Sequence, residues 1–324
     1  AQPYVPGMVE MMKEKGFAHM SEGALVVDVK EDTDTKEIPP CIILKSDGAS
    51  LYSTTDLATL VMRMKENNPD RVIYLADARQ SMHFIQVFRC ARKTGIVPDT
   101  TELVHIGFGT MNGKDGKPFK TRDGGVMRLE YLLKEIDDEM LNKIKENQKE
   151  KENLNIDEAE AKQTAKTVAL AAVKYGDLSN QASKDYIFDI DRFTSFEGNT
   201  GPYILYTIVR IKSILSKYEA KGGDISALKD AIMPAVNAGQ KSLMLSLAKF
   251  NATIESAYEE SAPHKICAYI YELANAFNGF YHDTKILSEE NEELKKSYIS
   301  LLVLTKEILE ACIDMLGFSA PDRM

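Results

Sequence analysis

Arg71-Val-Ile-Tyr-Leu-Ala-Asp-Ala-Arg-Gln-Ser-Met-His-Phe84 runs from an apolar, β-branched stretch into a polar cluster and then into residues spaced for a helix. A buried strand that empties into a helix start is the repeating unit of an α/β sheet. Ala24-Leu-Val-Val-Asp-Val29, Cys41-Ile-Ile-Leu44 and Leu103-Val-His-Ile-Gly-Phe108 read as further strands. Helical spacing separates them. Thr54 to Lys65 repeats Leu57, Leu60, Val61 and Met64 after a Ser/Thr start able to cap, and Gln80 to Lys93 repeats Phe84, Ile85, Val87 and Phe88 before Gly95. Roughly the first 125 residues therefore predict an α/β fold with a largely parallel sheet.

From Arg128 onward every pattern is helical. Asp137 to Glu160 is so charged that it predicts a solvated face or connector. Ala161 to Tyr175, closed by Gly176, and Tyr203 to Ala220, ended by Gly222-Gly223, are apolar-periodic helices. Leu243 to Ser256, His264 to Phe280 and Leu294 to Leu316 complete a helical bundle. The expected fold class is thus α/β followed by all-α.

Composition narrows the function classes. The 324 residues are 44% hydrophobic and 27% charged, as in ordinary globular chains, and the formal charge is −9. A polyanion site would therefore have to be local. Cys41, Cys90, Cys267 and Cys312 stand far apart with no CxxC pair, which argues against zinc sites and disulfide frameworks and fits a reducing, cytoplasmic compartment. No apolar run approaches the roughly 20 residues of a membrane span. The opening Ala1-Gln-Pro-Tyr-Val-Pro-Gly7 has no signal-peptide pattern and leads into an amphipathic stretch, Met8 to Lys15. It reads as entry into the middle of a longer chain, with loss of an initiator methionine before a small residue as the alternative.

Four groups of residues could carry chemistry. Lys45-Ser-Asp-Gly48 turns the chain after a strand, and Tyr52 and Asp56 lie one helical turn apart just beyond it. Asp56 at the carboxyl end of an α/β sheet suits a cationic ligand; the competing reading is a plain capped helix. Asp77, Gln80 and His83 emerge at the next strand end. The stretch Gly109 to Gly125 carries Lys114, Lys117, Lys120 and Arg122 among glycines, which suits phosphate oxygens, although it is no Walker loop and a solvated hairpin competes. Tyr203, Tyr206, Tyr269, Tyr271, Phe277, Phe280 and Tyr281 are spaced as a core stripe whose exposed ends could stack on RNA bases. Residues 199 to 324 hold 13 basic and 16 acidic residues, so no broad basic face supports that reading.

The wording of these segments resembles the arginyl-tRNA synthetases, class I enzymes, over nearly the whole chain. Lys45-Ser-Asp-Gly48 with Leu51-Tyr-Ser-Thr-Thr-Asp-Leu-Ala58, and Asp77-Ala-Arg-Gln80-Ser-Met-His83-Phe84, are similar to two of that family's motifs. Phe119-Lys-Thr-Arg-Asp-Gly124 resembles its degenerate KMSKS loop. Tyr175-Gly-Asp-Leu-Ser-Asn180, Asp185-Tyr-Ile-Phe-Asp189, Phe196-Glu-Gly-Asn-Thr-Gly-Pro-Tyr203 and the terminal Gly317-Phe-Ser-Ala-Pro-Asp-Arg-Met324 match its junction and its helical anticodon-binding domain.

The resemblance implies the second half of a Rossmann-like catalytic domain over residues 1–138, a helical connector over 139–198 and a DALR-type anticodon-binding domain over 199–324. It implies arginine recognition by Tyr52, Asp56 and Gln80, and stabilisation of ATP phosphates by Lys120 and Arg122 as catalytic residues. Asp77 and His83 would lie near the nucleotide or the amino acid. Tyr203, Tyr281 and Met324 would meet the anticodon loop. ATP with its Mg2+, L-arginine and the tRNA for arginine are the implied ligands, with no resident metal and no membrane. The family's HIGH motif and N-terminal tRNA-elbow domain precede the Lys45–Gly48 segment and are not in this sequence. The expectation is therefore a C-terminal fragment that does not form arginyl-adenylate alone, from a monomeric parent, with dimerisation of the fragment through its uncovered apolar surface. The competing reading is a non-catalytic helical RNA- or protein-binding module attached to an inert α/β remnant.

Overall fold

The computed structural model describes residues 1–117, 128–150, 157–228 and 231–324. It divides into two compact units, Ala1–Gly109 and Thr110–Met324.

In the first unit, α1 (Val5–Glu14) buries Val5, Met8, Val9 and Met12, spaced three and four apart along one face. β1 (His19–Ser21) and β2 (Ala24–Val27) form a hairpin whose two turn residues, Glu22 and Gly23, both have positive φ, the twist that a two-residue turn requires. β3 (Cys41–Leu44) pairs antiparallel with β2. A parallel pair follows: β4 (Arg71–Asp77) runs in register with β5 (Glu102–Phe108), from Arg71 opposite Glu102 to Asp77 opposite Phe108. Within this unit the expected largely parallel sheet is confined to β4 and β5, since β1 to β3 pair antiparallel, as the two-residue connection requires for β1 and β2.

One helix precedes the parallel pair in sequence and one connects its two strands. α2 (Tyr52–Glu66) buries Leu57, Ala58 and Leu60, and α3 (Ser81–Lys93) buries Phe84, Val87, Cys90 and Ala91, all but Phe84 in one core with Met12 and Ile43. α2 begins two residues earlier than the Ser/Thr start predicts. Arg89 of α3 forks onto Asp34 at 2.7 and 2.8 Å, and Asp34 also accepts from the Glu31 amide at 2.8 Å, tying the loop before β3 to the helix.

In the second unit, β6 (Met111–Asn112) pairs in parallel with β7 (Tyr186–Ile187), and Thr110 N–H donates to the Asp185 carboxylate at 2.6 Å. The remainder is helical: α4 (Leu129–Glu150), α5 (Glu158–Leu178), the short α6 (Ile190–Phe193), α7 (Gly201–Glu219), α8 (Ala238–Ala248), α9 (Phe250–Glu259), α10 (Pro263–Asp283) and α11 (Glu292–Met315). Asp157, Thr200, Asn237 and Asn291 cap α5, α7, α8 and α11 by accepting backbone N–H bonds. None of the described helices is long and apolar enough to cross a membrane.

Three sequence expectations give way here. Gly176 lies inside α5 rather than closing it, because the Phe193 ring packs where a side chain would stand, 2.4 Å from an added Cβ. The predicted helix over Leu243 to Ser256 is two helices, broken where Lys249 N–H bonds back only three residues, to Ser246 O at 3.2 Å. Within the charged stretch Asp137 to Glu160, read as mostly solvated, Met140 and Ile144 of α4 are buried, continuing the four-residue repeat of Leu132 and Ile136 that packs against α5 and its neighbours.

Asn199-Thr-Gly-Pro-Tyr203 has a structural reason for its wording. Thr200 caps α7, Pro202 occupies its first turn, and Gly201 lets that turn touch α5, since a Cβ there would stand 2.3 Å from Ala171 O. The obstacle is backbone and cannot rotate aside. Gly201→Ala should therefore destabilise the helical unit by about 1–3 kcal/mol, read as a lower midpoint in its thermal unfolding; an unchanged midpoint would contradict this packing. The Asp34–Arg89 fork predicts an acid effect. Arg89 holds the Asp34 carboxyl down at about 2, against an ordinary 3.8, so its stabilisation is present above the ordinary value and lost as pH falls toward about 2. Asp34→Asn should flatten the loss of stability of the first unit across that window, measured by denaturant unfolding; parallel pH profiles for the two proteins would refute it.

Candidate active site and nucleic-acid interface

Two hydroxyls fix the start of α2. Ser53 Oγ donates to Ile42 O and Thr54 Oγ1 to Ile43 O, both at 2.5 Å, while Thr54 Oγ1 accepts from Leu51 N–H at 2.8 Å. The first turn is thereby held to the end of β3. Tyr52, in that turn, is 86% exposed, and Asp56 follows one turn later.

The end of β4 is shaped by Asp77. Its carboxylate accepts from Arg79 N–H at 2.8 Å and from the Arg79 guanidinium at 2.8 and 2.6 Å. Arg79 holds the Asp77 carboxyl down at about 2. This closes the tight turn Ala78–Gln80, leaving Gln80 exposed immediately before α3. Gly107 of β5 makes room for the turn, because a Cβ there would lie 2.8 Å from Ala78 Cα.

His83, in the first turn of α3, reaches across to α2. Its Nε2 lies 2.7 Å from Asp56 Oδ2, with the two side chains 27% and 30% exposed. That contact brings the two polar strand ends into one group, with Tyr52 four residues before Asp56 and Gln80 three before His83. Beside it lies Tyr74 of β4, its ring against Phe84 at 5.0 Å and under the Arg63 guanidinium at 5.3 Å. Burial pushes the Tyr74 phenol up to about 12, Arg63 opposing and the nearby Asp56 charge adding.

An open pocket of about 540 Å³ elsewhere in this unit is lined by Asp28, Arg89, Arg92 and Lys93 among others. Those cations are already engaged: Arg89 by Asp34, Arg92 by the Pro98 and Thr101 carbonyls, and Lys93 by Asp28 O at 2.6 Å. Among the described residues, no group of three or more His, Cys, Asp or Glu side chains could hold a metal ion. Lys120 and Arg122 lie outside the described residues. Lys114 is paired with Asp189 at 3.0 Å and Asp191 at 3.1 Å and stays 65% exposed.

The second unit carries its own polar and aromatic group along α7 and α10. Tyr203 OH donates to Asn275 Oδ1 at 2.6 Å and accepts from Asn278 Nδ2 at 2.9 Å, with its ring edge-on to Tyr271 at 5.7 Å. Arg210 donates to Asn278 Oδ1 at 2.7 Å, and its guanidinium lies 4.7 Å from the Tyr206 ring centre and 5.4 Å from that of Tyr281. Tyr281 is 41% exposed and lies nearly parallel to Phe277. Flat, half-exposed rings beside an arginine and amides suit unstacked bases. Tyr269 and Phe280, by contrast, are buried core. Met324 packs partly buried at the same unit's core, its tail held by Arg323, which forks onto Glu160 at 2.6 and 2.7 Å. Sequence reasoning missed Arg210, Asn275 and Asn278. The signal was there: Tyr203 and Arg210 are two turns apart, and Asn275, Asn278 and Tyr281 repeat every three residues.

The comparisons agree with this architecture. Residues 1–190 match the family model of class I tRNA synthetases (R), catalytic domain, and residues 204–324 match the DALR anticodon binding domain. The chain is 99% identical over 324 residues to the arginine–tRNA ligase of Agathobacter rectalis and 54% identical over 323 residues to that of Alkaliphilus oremlandii. In both cases all of this chain and 54% of the relative are covered, so the chain spans about half the length of the curated relatives it matches. The crystal structure of the Plasmodium falciparum arginyl-tRNA synthetase superposes on 99% of the chain, using 52% of its own length, at 26% identity and a TM-score of 0.82. The Thermus thermophilus arginyl-tRNA synthetase shares the fold, at 22% identity and a TM-score of 0.82 over 99% of this chain and 58% of its own. With a family model covering more than half its length, the chain belongs to the arginyl-tRNA synthetase family.

Proposed function

We propose that the chain supplies the arginine-recognising and anticodon-reading parts of an arginine–tRNA ligase. The observation that carries the reading is Asp56: a carboxylate anchored at the head of α2, half-sheltered, with one oxygen bonded and the other without a hydrogen-bond partner among the described residues. Such a group pairs with a guanidinium by charge-assisted, bidentate-capable hydrogen bonds and rejects neutral side chains. Tyr52, one turn earlier on α2, would supply a flat ring for the aliphatic stem, and Gln80, just before α3, an amide for the remaining donors.

In this reading the arginine carboxylate attacks the α-phosphate of ATP, pyrophosphate leaves, and the arginyl group passes to the terminal ribose of the tRNA. Mg2+ comes with the ATP. Lys120 and Arg122 act on the phosphates as charge builds there. Asp77 acts through Arg79 to set the turn that presents Gln80. Tyr203, Tyr281 and Met324 meet the anticodon loop, and the work is cytoplasmic. Because the chain spans about half of its relatives, the full reaction belongs to the longer protein, and this chain by itself does not form arginyl-adenylate. Ile73 and Leu75 of β4, the latter 68% exposed, form an apolar face through which two copies of the isolated chain associate.

Asp56→Asn in the full-length ligase should lower kcat/KM for arginine by roughly 30- to 1,000-fold, the cost of about 2–4 kcal/mol for a lost charge-assisted pair, with the KM for ATP nearly unchanged. Equal losses for both substrates would refute the role. For the helical unit, Tyr281→Ala should weaken binding of a tRNA with an arginine anticodon by about 1–3 kcal/mol and remove the preference over the same tRNA with a changed anticodon. An undiminished preference would exclude Tyr281 from base reading.

A further inference from the structure

His83 is the one hydrogen-bond partner that Asp56 has among the described residues, and both ends of that bond are fixed. Asp56 rides on a helix start tied to β3 by two hydroxyls. The His83 ring meets Phe84 edge-on at 5.1 Å, and Phe84 is braced from β5 by a stacked His105 at 4.5 Å and from β4 by Tyr74 at 5.0 Å. An imidazole bonded through one nitrogen and set edge-on to a braced ring is placed to orient what it touches.

We propose that His83 is a positioning residue for arginine selection: its Nε2–H donates to Asp56 Oδ2 and turns Oδ1 toward the guanidinium. The proposal rests on the arginine-site reading of Asp56 and deepens it. A carboxylate has about four lone-pair sites, so one donor on Oδ2 leaves ample acceptor capacity while removing the rotation that would blur the site. The neutral Nε2–H tautomer is the useful one, because it leaves the Asp56 charge to the substrate cation; an imidazolium would pair with Asp56 and compete. His83 therefore works on the amino-acid side of the reaction and acts through Asp56, without touching the nucleotide.

The test uses the full-length ligase with substitutions at the positions of His83 and Asp56, measuring KM for arginine and for ATP separately. His83→Leu should raise the arginine KM roughly 10- to 100-fold, the size expected for a lost hydrogen bond to a charged group, and leave the ATP KM within about twofold. His83→Gln, which can present an amide donor at similar reach, should recover most of that loss, and it serves if His83→Leu folds poorly. In an Asp56→Asn background, His83→Leu should add almost nothing, since the two act as a unit. An unchanged arginine KM in His83→Leu, an ATP KM that rises equally, or a full additive loss in the double variant would overturn the positioning role. If His83→Leu fails while Asp56→Asn still raises the arginine KM, only the His83 inference falls; if Asp56→Asn has no effect on arginine, the site reading falls and takes this inference with it.

Discussion

Two hydroxyl-to-carbonyl bonds, Ser53 to Ile42 O and Thr54 to Ile43 O, fix where the head of α2 and its Asp56 stand in the first unit. They attach the head of α2 to the end of β3, so Asp56 starts from a rigid base instead of a loop. The opposing wall is set by different means: Asp77 closes the turn after β4, Gly107 lets that turn settle onto β5, and the His83 ring stands edge-on to Phe84, which is itself stacked on His105. The 2.7 Å contact between Asp56 and His83 joins the two walls. Each support is a backbone or ring constraint, which is what a site discriminating by charge and direction requires.

The helical unit solves its packing differently. Gly201 and Gly176 allow α7 and Phe193 to approach α5 more closely than a side chain would permit, and Tyr175, buried in α5, directs its hydroxyl to Cys267 O at 2.9 Å and to Asn199 Oδ1. Burial pushes that phenol well up, so it stays a neutral donor. With the core satisfied in this way, the outer parts of α7 and α10 can carry Arg210, the amides and Tyr281 as a surface for contact. Residues 199 to 324 hold no excess of positive charge, so in the proposed anticodon-reading role ring and guanidinium faces would supply what phosphate attraction does not.

How much of this the sequence disclosed depends on the range of the interaction. Strand ends and helix starts were legible because their signals are local: Arg71–Ala76 followed by Gln80–Lys93, or the apolar period over Tyr203–Ala220. Asp56 and Gln80 could be singled out for the same reason. The antiparallel order of β1 to β3 was not, since buried strands of either direction have similar composition. Gly176 reads as a helix terminator until Phe193 is brought against it, and Leu132, Ile136, Met140 and Ile144 vanish among charges until α5 covers them. The Asp56–His83 bond spans 27 positions and depends on a turn, a glycine and an aromatic stack that no local pattern encodes.

A crystal structure of the full-length ligase with L-arginine bound is the decisive measurement. A guanidinium nitrogen should lie within about 3.2 Å of Asp56 Oδ1, with His83 Nε2 still on Oδ2 and Gln80 alongside. A guanidinium seated away from Asp56, or a His83 ring turned from Asp56 toward the nucleotide, would contradict that placement.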